Sequence, residues 1–585
     1  MALAPVATLM FRFDNPDALM TLMITLAGYA MTRAIESGRT RWIVLTGVFL
    51  GAGFLSKYLA AFMVLPALAL AYLWAGPPRL GMRIWQLLAG GVSLLVTSGW
   101  WVAIVLLTPA ADRPFIGSST NNNILNLIFV YNGFGRLTGN ERGGAVAGAS
   151  RAAPAAGGAA GTAGRAAGAA GRRLAGGGGF GGSGGISRLF TAEYGGQVAW
   201  LIPAALIFIV VMLWVSRRAV RTDRTRAAVL LWGGWLLVAG LVLSFMSGIS
   251  HTYYVVALTP AIGALVGIGA AKLWEIRETW FSRVTLAVTL LVTGGWAWVL
   301  LDRSPGWYPW LRVVIVIAAL AAACLVLAGF GLRAATARAR GYLAALPVSL
   351  ALIAGLGGPL AYSIDTAATA HSGASPSAGP TLTAAGGAAG RGAFTGGGFG
   401  GAAGGAGRDR FGTGTSGGGT TRRASAGGAG GFGGTTTLNA ALAKLLETGA
   451  SGYKWAAATV GSDSAASMEL GTGGVPVMAI GGFSGTDPAP ALAAFEQMVA
   501  DHEVHYFILS AGGAGGAFGA TAGGRAVGAG SADGATRSSF GAGGAARGGT
   551  TSDSAQVEAW VEDHFTATTV GGETVYNLTA PKSGS

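Results

Sequence analysis

Two carboxylates, Asp14 and Asp17, stand three residues apart in Arg12-Phe-Asp-Asn-Pro-Asp-Ala-Leu, at the mouth of the first long apolar run. Ionised groups beside a bilayer are costly and tend to be kept for a purpose. One carboxylate could act as a general base on an acceptor hydroxyl, or the pair could hold a divalent cation. A plainer role competes with both. Pro16 suits a helix start, so Asp17 falls in a first turn, where the helix dipole favours negative charge. Arg12 and Asn15 flank the pair and could bind a substrate beside it.

Further candidates lie elsewhere along the chain. Lys57, in Phe-Leu-Ser-Lys-Tyr at the end of a span, is either a snorkelling anchor or a cation for a lipid phosphate. His251 with Tyr253 and Tyr254 opens a later span. Tyrosines are ordinary interfacial residues, but a histidine beside them is less routine. The stretches Pro114 to Asn123, which includes Asn122, and Tyr131-Asn-Gly-Phe-Gly-Arg136, which includes Asn132, are rich in amides, hydroxyls and rings. Sugar sites are built from such residues, and so are ordered loops with no catalytic use.

These residues must be held by membrane helices. Of 585 residues 51% are hydrophobic and 11% charged, with a mean hydropathy of +0.52, far too little charge to cover a soluble protein of this size. About ten runs are long enough to cross a ~30 Å hydrocarbon core, near 17–35, 42–57, 59–76, 84–107, 197–216, 227–247, 253–274, 283–301, 309–332 and 342–364. The second and third join closely around Lys57 and could form a broken hairpin. Arg33, Arg39, Arg41, Arg79, Arg83, the Arg217–Arg226 cluster, Lys272, Arg277, Arg283, Arg333, Arg338 and Arg340 all fall on one side if every run crosses once. That side is the cytoplasm. Asp14, Asp17, Lys57, the 108–196 loop, His251 and everything after Ile364 then face outward. The net charge of +14 is thus largely a topology signal. The single Cys324 lies in an apolar run and supports neither a disulfide nor a metal framework.

Residues 143–185, 372–436 and 511–550 are Gly/Ala/Ser/Thr tracts that bury too little apolar surface to offset chain entropy, and disorder is expected there. Their Arg-Gly and Phe-Gly-Gly steps resemble RNA-binding segments, but tracts facing away from the cytoplasm meet no nucleic acid. Between them, helices are expected at Leu438–Leu446, Pro488–Ala500 and Ser554–His564. Strands are expected at Trp455–Val460, Val475–Ile480, His505–Leu509 and Thr574–Leu578. This alternation predicts a small α/β domain with 511–550 inserted in a loop. Its Glu496, Asp501, His502, His505, Asp563 and His564 read as solvated helix ends and a strand edge.

Taken together, Arg12-Phe-Asp-Asn-Pro-Asp-Ala-Leu, Gly51-Ala-Gly-Phe-Leu-Ser-Lys, Ser118-Ser-Thr-Asn-Asn-Asn, Tyr131-Asn-Gly-Phe-Gly-Arg-Leu-Thr-Gly and His251-Thr-Tyr-Tyr-Val-Val-Ala-Leu-Thr-Pro resemble the ArnT-like, protein-mannosyltransferase-type glycosyltransferases (GT-C, family 39). The likeness is nearest to the actinobacterial and Bacillus mannosyltransferase group. Tyr453-Lys-Trp-Ala-Ala-Ala-Thr-Val-Gly-Ser and Ala479-Ile-Gly-Gly-Phe-Ser-Gly-Thr-Asp-Pro are similar to that group's C-terminal domain. The resemblance implies a GT-C fold, a polyprenyl-phosphate-linked sugar donor and inverting transfer on the outer face. By motif, Asp17 matches a carboxylate at the start of a later span, and Lys57 and His251–Tyr254 match positions lining the donor cavity. Members of the family begin with further spans and a first outer loop that carries the main catalytic acid. The likeness therefore predicts a misassigned start, a truncated gene or a second chain supplying that part.

The expected architecture is a polytopic α-helical GT-C unit over 1–365, a Gly-rich linker over 366–436 and a small extracytoplasmic α/β domain over 437–585. The expected function is hexosyl transfer, with mannose the leading sugar, to a lipid, glycan or protein acceptor in a multi-pass plasma-membrane protein. Asp14 and Asp17 would be catalytic. Arg12, Asn15, Lys57, Asn122, Tyr131, Asn132, Arg136, His251, Tyr253 and Tyr254 would bind substrate. No cofactor is required beyond a divalent cation that the carboxylates could hold. An incomplete scaffold presenting the α/β domain, or a transporter of lipid-linked sugar, are the competing readings.

Overall fold

The computed structural model describes residues 1–140, 184–329, 337–371, 375–380, 438–483, 485–509 and 552–582. They fall into two compact units, Met1–Ala385 with Gly482–Ala489, and Gly386–Gly481 with Pro490–Ser585. The tracts expected at 143–185 and 511–550 lie almost wholly outside the described residues. So does most of 372–436, with one exception. Ser375–Pro380 is described and is hydrogen-bonded to the first unit, so the expectation of a structureless linker from 372 is corrected there.

The first unit is a helical bundle. After a short helix α1 (Pro5–Met10) come α2 (Asp17–Ser37), α3 (Thr40–Lys57), α4 (Leu65–Ala75) and α5 (Leu80–Leu107). Six further helical runs follow: α6 (Ala192–Val215), α7 (Arg224–Phe245), α8 (Thr252–Glu275), α9 (Trp280–Leu301), α10 (Pro309–Leu327) and α11 (Ala337–Ala368). Among the described residues nine runs are long and apolar enough to cross a membrane, and one of them, Thr40–Ala75, has 36 residues.

That long run is a hairpin. Phe54 and Phe62 stack with centroids 5.3 Å apart, whereas eight residues of straight helix advance about 12 Å. The backbone turns at Tyr58, held at φ 45° and ψ −134°. The far end of α4 returns to where α3 began: Tyr72 Oη donates to Gln86 Oε1 (2.5 Å), and Gln86 Nε2 donates to Gly38 O (2.9 Å). Counting the hairpin as two passes gives ten candidate crossings among the described residues. Arginines gather at the Gly38 end, where Arg83 donates to Leu73 O and Arg221 to Gly76 O (2.9 Å), capping the C-terminus of α4. Asp17, Lys57 and His251 lie at the opposite end.

Small residues set how closely the helices approach. A Cβ on Gly51 would lie 2.7 Å from Thr97 Cβ, and one on Gly90 would lie 2.8 Å from Ile43 Cγ2. The α3 and α5 backbones therefore nearly touch, as close-packed membrane helices do. The interior is apolar around Trp235, which is fully buried and donates Nε1–H to Ala257 O (2.9 Å). The opposite side of α5 exposes Leu88, Val92, Leu95, Val96 and Trp100, a surface suited to lipid.

The second unit is a five-stranded sheet in the order β2-β1-β3-β5-β4, formed by β1 (Trp455–Val460), β2 (Val477–Ile480), β3 (Val504–Leu509), β4 (Phe565–Val570) and β5 (Glu573–Pro581). β1 pairs parallel with β2 and β3, while β5 pairs antiparallel with β3 and β4. Helices cover both faces, with Phe495, Phe507 and Val557 on one side and Leu442, Leu446 and Ala465 on the other. The α/β character agrees with the sequence reading, but two elements were not anticipated. The helix Ser462–Gly471 buries only Ala465 and Met468, so its periodicity is faint. The strand β4 is a threonine-rich edge whose interior positions are all exposed.

Candidate functional site

The site starts from one local choice at the head of α2. Asn15 Oδ1 accepts the Asp17 N–H (2.9 Å), so the amide caps the helix and neither carboxylate does. Asp17 itself stands in the first turn of α2, where the helix dipole favours its charge. Asp17 turns inward, is 1% exposed and forms an ion pair with Lys57, the last residue of α3. The break at Tyr58 brings the ammonium there. Lys57 Nζ also lies 4.2 Å from the Tyr254 ring centroid and 5.2 Å from that of Tyr253, within cation–π range.

The aromatic wall continues to His251, whose ring stacks on Tyr253 (5.1 Å, 6° between planes) and meets Tyr254 edge-on (5.3 Å). Arg136 closes the far side over the Tyr131 ring at 4.7 Å, and its Nη1 reaches Ile249 O (3.4 Å). Two backbone bonds dock this segment beside the histidine, from Ser247 N to Leu137 O (3.1 Å) and from Gly248 N to Arg136 O (2.9 Å). Tyr131 and Asn132 lie in a wide π-helical turn, Asn126–Phe134, which is kinked at Gly133 with φ −119° and ψ −116°. Such widened turns recur at functional sites.

The structure thus gathers Asn15, Asp17, Lys57, Tyr131, Arg136, His251, Tyr253 and Tyr254. It does not gather the others. Asp14 is exposed and takes no part in the ion pair. Arg12 donates to Ala367 O (2.5 Å) and lines a separate cavity of about 220 Å³ with Thr8, Thr366 and His371. Asn122, at φ 51°, frames its own loop by accepting from Ile116 N (2.9 Å) through Oδ1 and from Arg113 Nη2 (2.7 Å) through its carbonyl. Asn132 shares the π-helical turn, but its side chain makes no hydrogen bond among the described residues. No group of three or more His, Cys, Asp or Glu that could hold a metal exists among the described residues.

Several supporting residues gave no signal in the sequence. Tyr194 Oη bonds Ser250 O (2.9 Å) and Ser250 Oγ (2.8 Å), and the buried Arg188 donates to Met246 O (2.7 Å). Both brace the segment that presents His251. The one cue available was that a buried polar residue at a membrane depth seldom lacks a partner or a task.

Burial, and then the positive charges of Arg136 and Lys57, push the His251 imidazole down from 6.5 to about 4. It is therefore neutral at pH 7 and able to donate through one ring nitrogen while accepting through the other. The unfolded chain takes up this proton first as the pH falls. Its contribution to stability is complete above pH 6.5 and is lost progressively as the pH drops toward 4. His251→Gln should remove this part of the acid sensitivity, so melting temperatures of wild type and variant in detergent should converge across that window.

Family comparisons agree with this architecture. Residues 1–102 match the family model described as "Dolichyl-phosphate-mannose-protein mannosyltransferase", and residues 442–524 match "Putative mannosyltransferase YkcB-like, C-terminal". A Bacillus subtilis (strain 168) relative, "Putative mannosyltransferase YkcB", is 31% identical over 588 aligned positions, which cover 88% of this chain and 74% of the relative. The chain belongs to the YkcB-like mannosyltransferase family. A second B. subtilis (strain 168) member, "Putative mannosyltransferase YycA", is 29% identical over half of each chain (50% and 50%). A crystal structure of ArnT from Cupriavidus metallidurans bound to undecaprenyl phosphate aligns with 18% identity and a TM-score of 0.29, over 61% of this chain and 57% of that one. Family membership makes the bundle that of a multi-pass membrane glycosyltransferase of the GT-C type, with the YkcB-like C-terminal match falling on the α/β unit.

Proposed function

We propose that the chain transfers a hexose, mannose being the foremost candidate, from a polyprenyl-phosphate donor to an acceptor hydroxyl at the Asp17 end of the bundle. That end faces outward by the arginine asymmetry, and the α/β unit would then be extracytoplasmic. The observation that carries the reading is the buried Asp17–Lys57 pair ringed by Tyr253, Tyr254, His251 and Arg136. The matched family description names a dolichyl-phosphate-linked mannose, which supports the lipid-phosphate donor.

In this reading Lys57 and Arg136 supply positive charge where the leaving phosphate gains negative charge. The acceptor oxygen bonds to the anomeric carbon as the bond from that carbon to the phosphate oxygen breaks. Lys57 exchanges its carboxylate partner for the phosphate, and Asp17, released, takes the acceptor's proton. The tyrosine faces and the neutral His251 suit a sugar ring and its hydroxyls.

Asp17→Asn, in membranes supplied with polyprenyl-phosphate mannose, should lower turnover by about a hundredfold or more, the scale of a lost general base. Turnover at the wild-type rate would remove Asp17 from the chemistry.

A further inference from the structure

Beyond the last span the chain does not leave the bundle at once. Ser375–Pro380 runs back across the end of the bundle as a strap, over the residues that open α8. Its anchor is Gln197, a buried residue of α6. Gln197 Nε2 donates to Ala378 O (3.0 Å) while Ala378 N donates to Gln197 Oε1 (2.9 Å), so one carboxamide pairs with the strap as a neighbouring strand would. Gly379 adds a second anchor by donating to Thr366 Oγ1 (2.9 Å). Its φ of +84° and the Tyr362 ring against its Cα leave no space for a side chain.

The other end of the strap reaches the site. Thr252 Oγ1 lies 3.4 Å from Pro376 O and 3.3 Å from Ser377 Oγ, and Ser375 Oγ lies 3.2 Å from His251 Nδ1. Pro376 and Ala378 are buried although both neighbours of Pro376 are exposed serines. The strap is thus seated through its backbone, and its serine hydroxyls are presented to residues 251 and 252.

We propose that Gln197 is a positioning residue of the glycosyl-transfer site: by pinning the Ser375–Gly379 strap it places the Ser375 hydroxyl on His251 and holds the imidazole against Tyr253. The inference rests on the site reading given above for His251. Gln197 touches neither donor nor acceptor and acts only through the strap. A ring hydrogen-bonded at Nδ1 keeps one orientation, whichever of the two groups donates, and so fixes where its other nitrogen points toward a sugar hydroxyl.

The test uses the full chain in detergent, with diethyl pyrocarbonate as the probe and mass spectrometry to follow acylation of each histidine at neutral pH. The exposed His502 serves as the internal reference. In Gln197→Leu the rate at His251 relative to His502 should rise about tenfold, the factor expected when one or two buried hydrogen bonds are lost. Gln197→Glu keeps the acceptor for Ala378 N–H but loses the donor to Ala378 O, so it should fall between. Ser375→Ala, at an exposed position that endangers no fold, should also speed His251 while leaving the melting temperature unchanged. With polyprenyl-phosphate mannose, kcat should fall in Gln197→Leu by more than KM changes.

Equal His251 rates in wild type and both Gln197 variants would overturn the proposal. So would faster labelling with unchanged transfer. A wild-type chain that transfers no mannose would sink the functional reading alone, because the labelling is read without substrate.

Discussion

Lys57→Met is expected to destabilise the folded bundle by about 3–5 kcal/mol, the range for removing one partner of a buried ion pair. Asp17 is 1% exposed, and its carboxylate would be left without the ammonium and far from water. The cost comes from the stranded charge more than from the lost attraction, and that distinction can be measured. Asp17→Asn combined with Lys57→Met removes both charges and should recover most of the melting temperature, while transfer stays about a hundredfold or more below wild type in single and double variants alike. A double variant as unstable as Lys57→Met would show that packing, and not the pair, holds this end together. The cycle therefore separates what the ion pair does for the fold from what it does for the chemistry.

The second large effect lies away from the site. Gly47 in α3 faces Gly90 O and Ser93 Oγ so closely that any Cβ would collide with them, and Ser93 Oγ already donates to Val44 O (2.9 Å) across the same seam. Gly47→Leu should cost about 3 kcal/mol, the upper part of the range for overpacked interiors. Its effect on transfer should follow the folded fraction, since α5 leads into the loop that carries Tyr131 and Arg136. Gly99→Leu on α5, where nothing lies within 4 Å of the Cβ position, is the matched control and should leave the melting temperature unchanged. Thermal unfolding of the three proteins in one detergent decides the matter. Equal losses at Gly47 and Gly99 would rule out close backbone approach as the cause.

The spans, and the gathering of arginines at one end of the bundle, were legible because long apolar runs and arginine-bearing loops are local signals that need no knowledge of packing. The hairpin at Lys57 was legible as a short join, and the structure adds the backward turn at Tyr58. Asp17, Lys57 and His251 could be placed at one end of the bundle, but their contacts could not. Pairing between residues forty positions apart depends on which face each helix presents, and an apolar helix exposed to lipid carries weak periodicity. Asn15 looked subordinate to its acidic neighbours, yet its amide caps the helix and leaves Asp17 for Lys57. The strap escaped notice because its seating uses backbone groups, which composition does not reveal. Helix Ser462–Gly471 and strand β4 were missed for a related reason, since each buries too few side chains to imprint a period.

The turn at Tyr58 bears on how the protein enters the membrane. If a hairpin of two short helices enters the bilayer as a unit, its tip carries Lys57 through the hydrocarbon. A lone lysine at the middle of a span costs roughly 2.5–3.5 kcal/mol on insertion scales. Asp17 comes forty residues earlier in the chain, and in the folded bundle it lies at the end where that tip arrives. The carboxylate is the group that receives the ammonium once the bundle has formed, so the two charges that shape the site also favour the hairpin in its folded place.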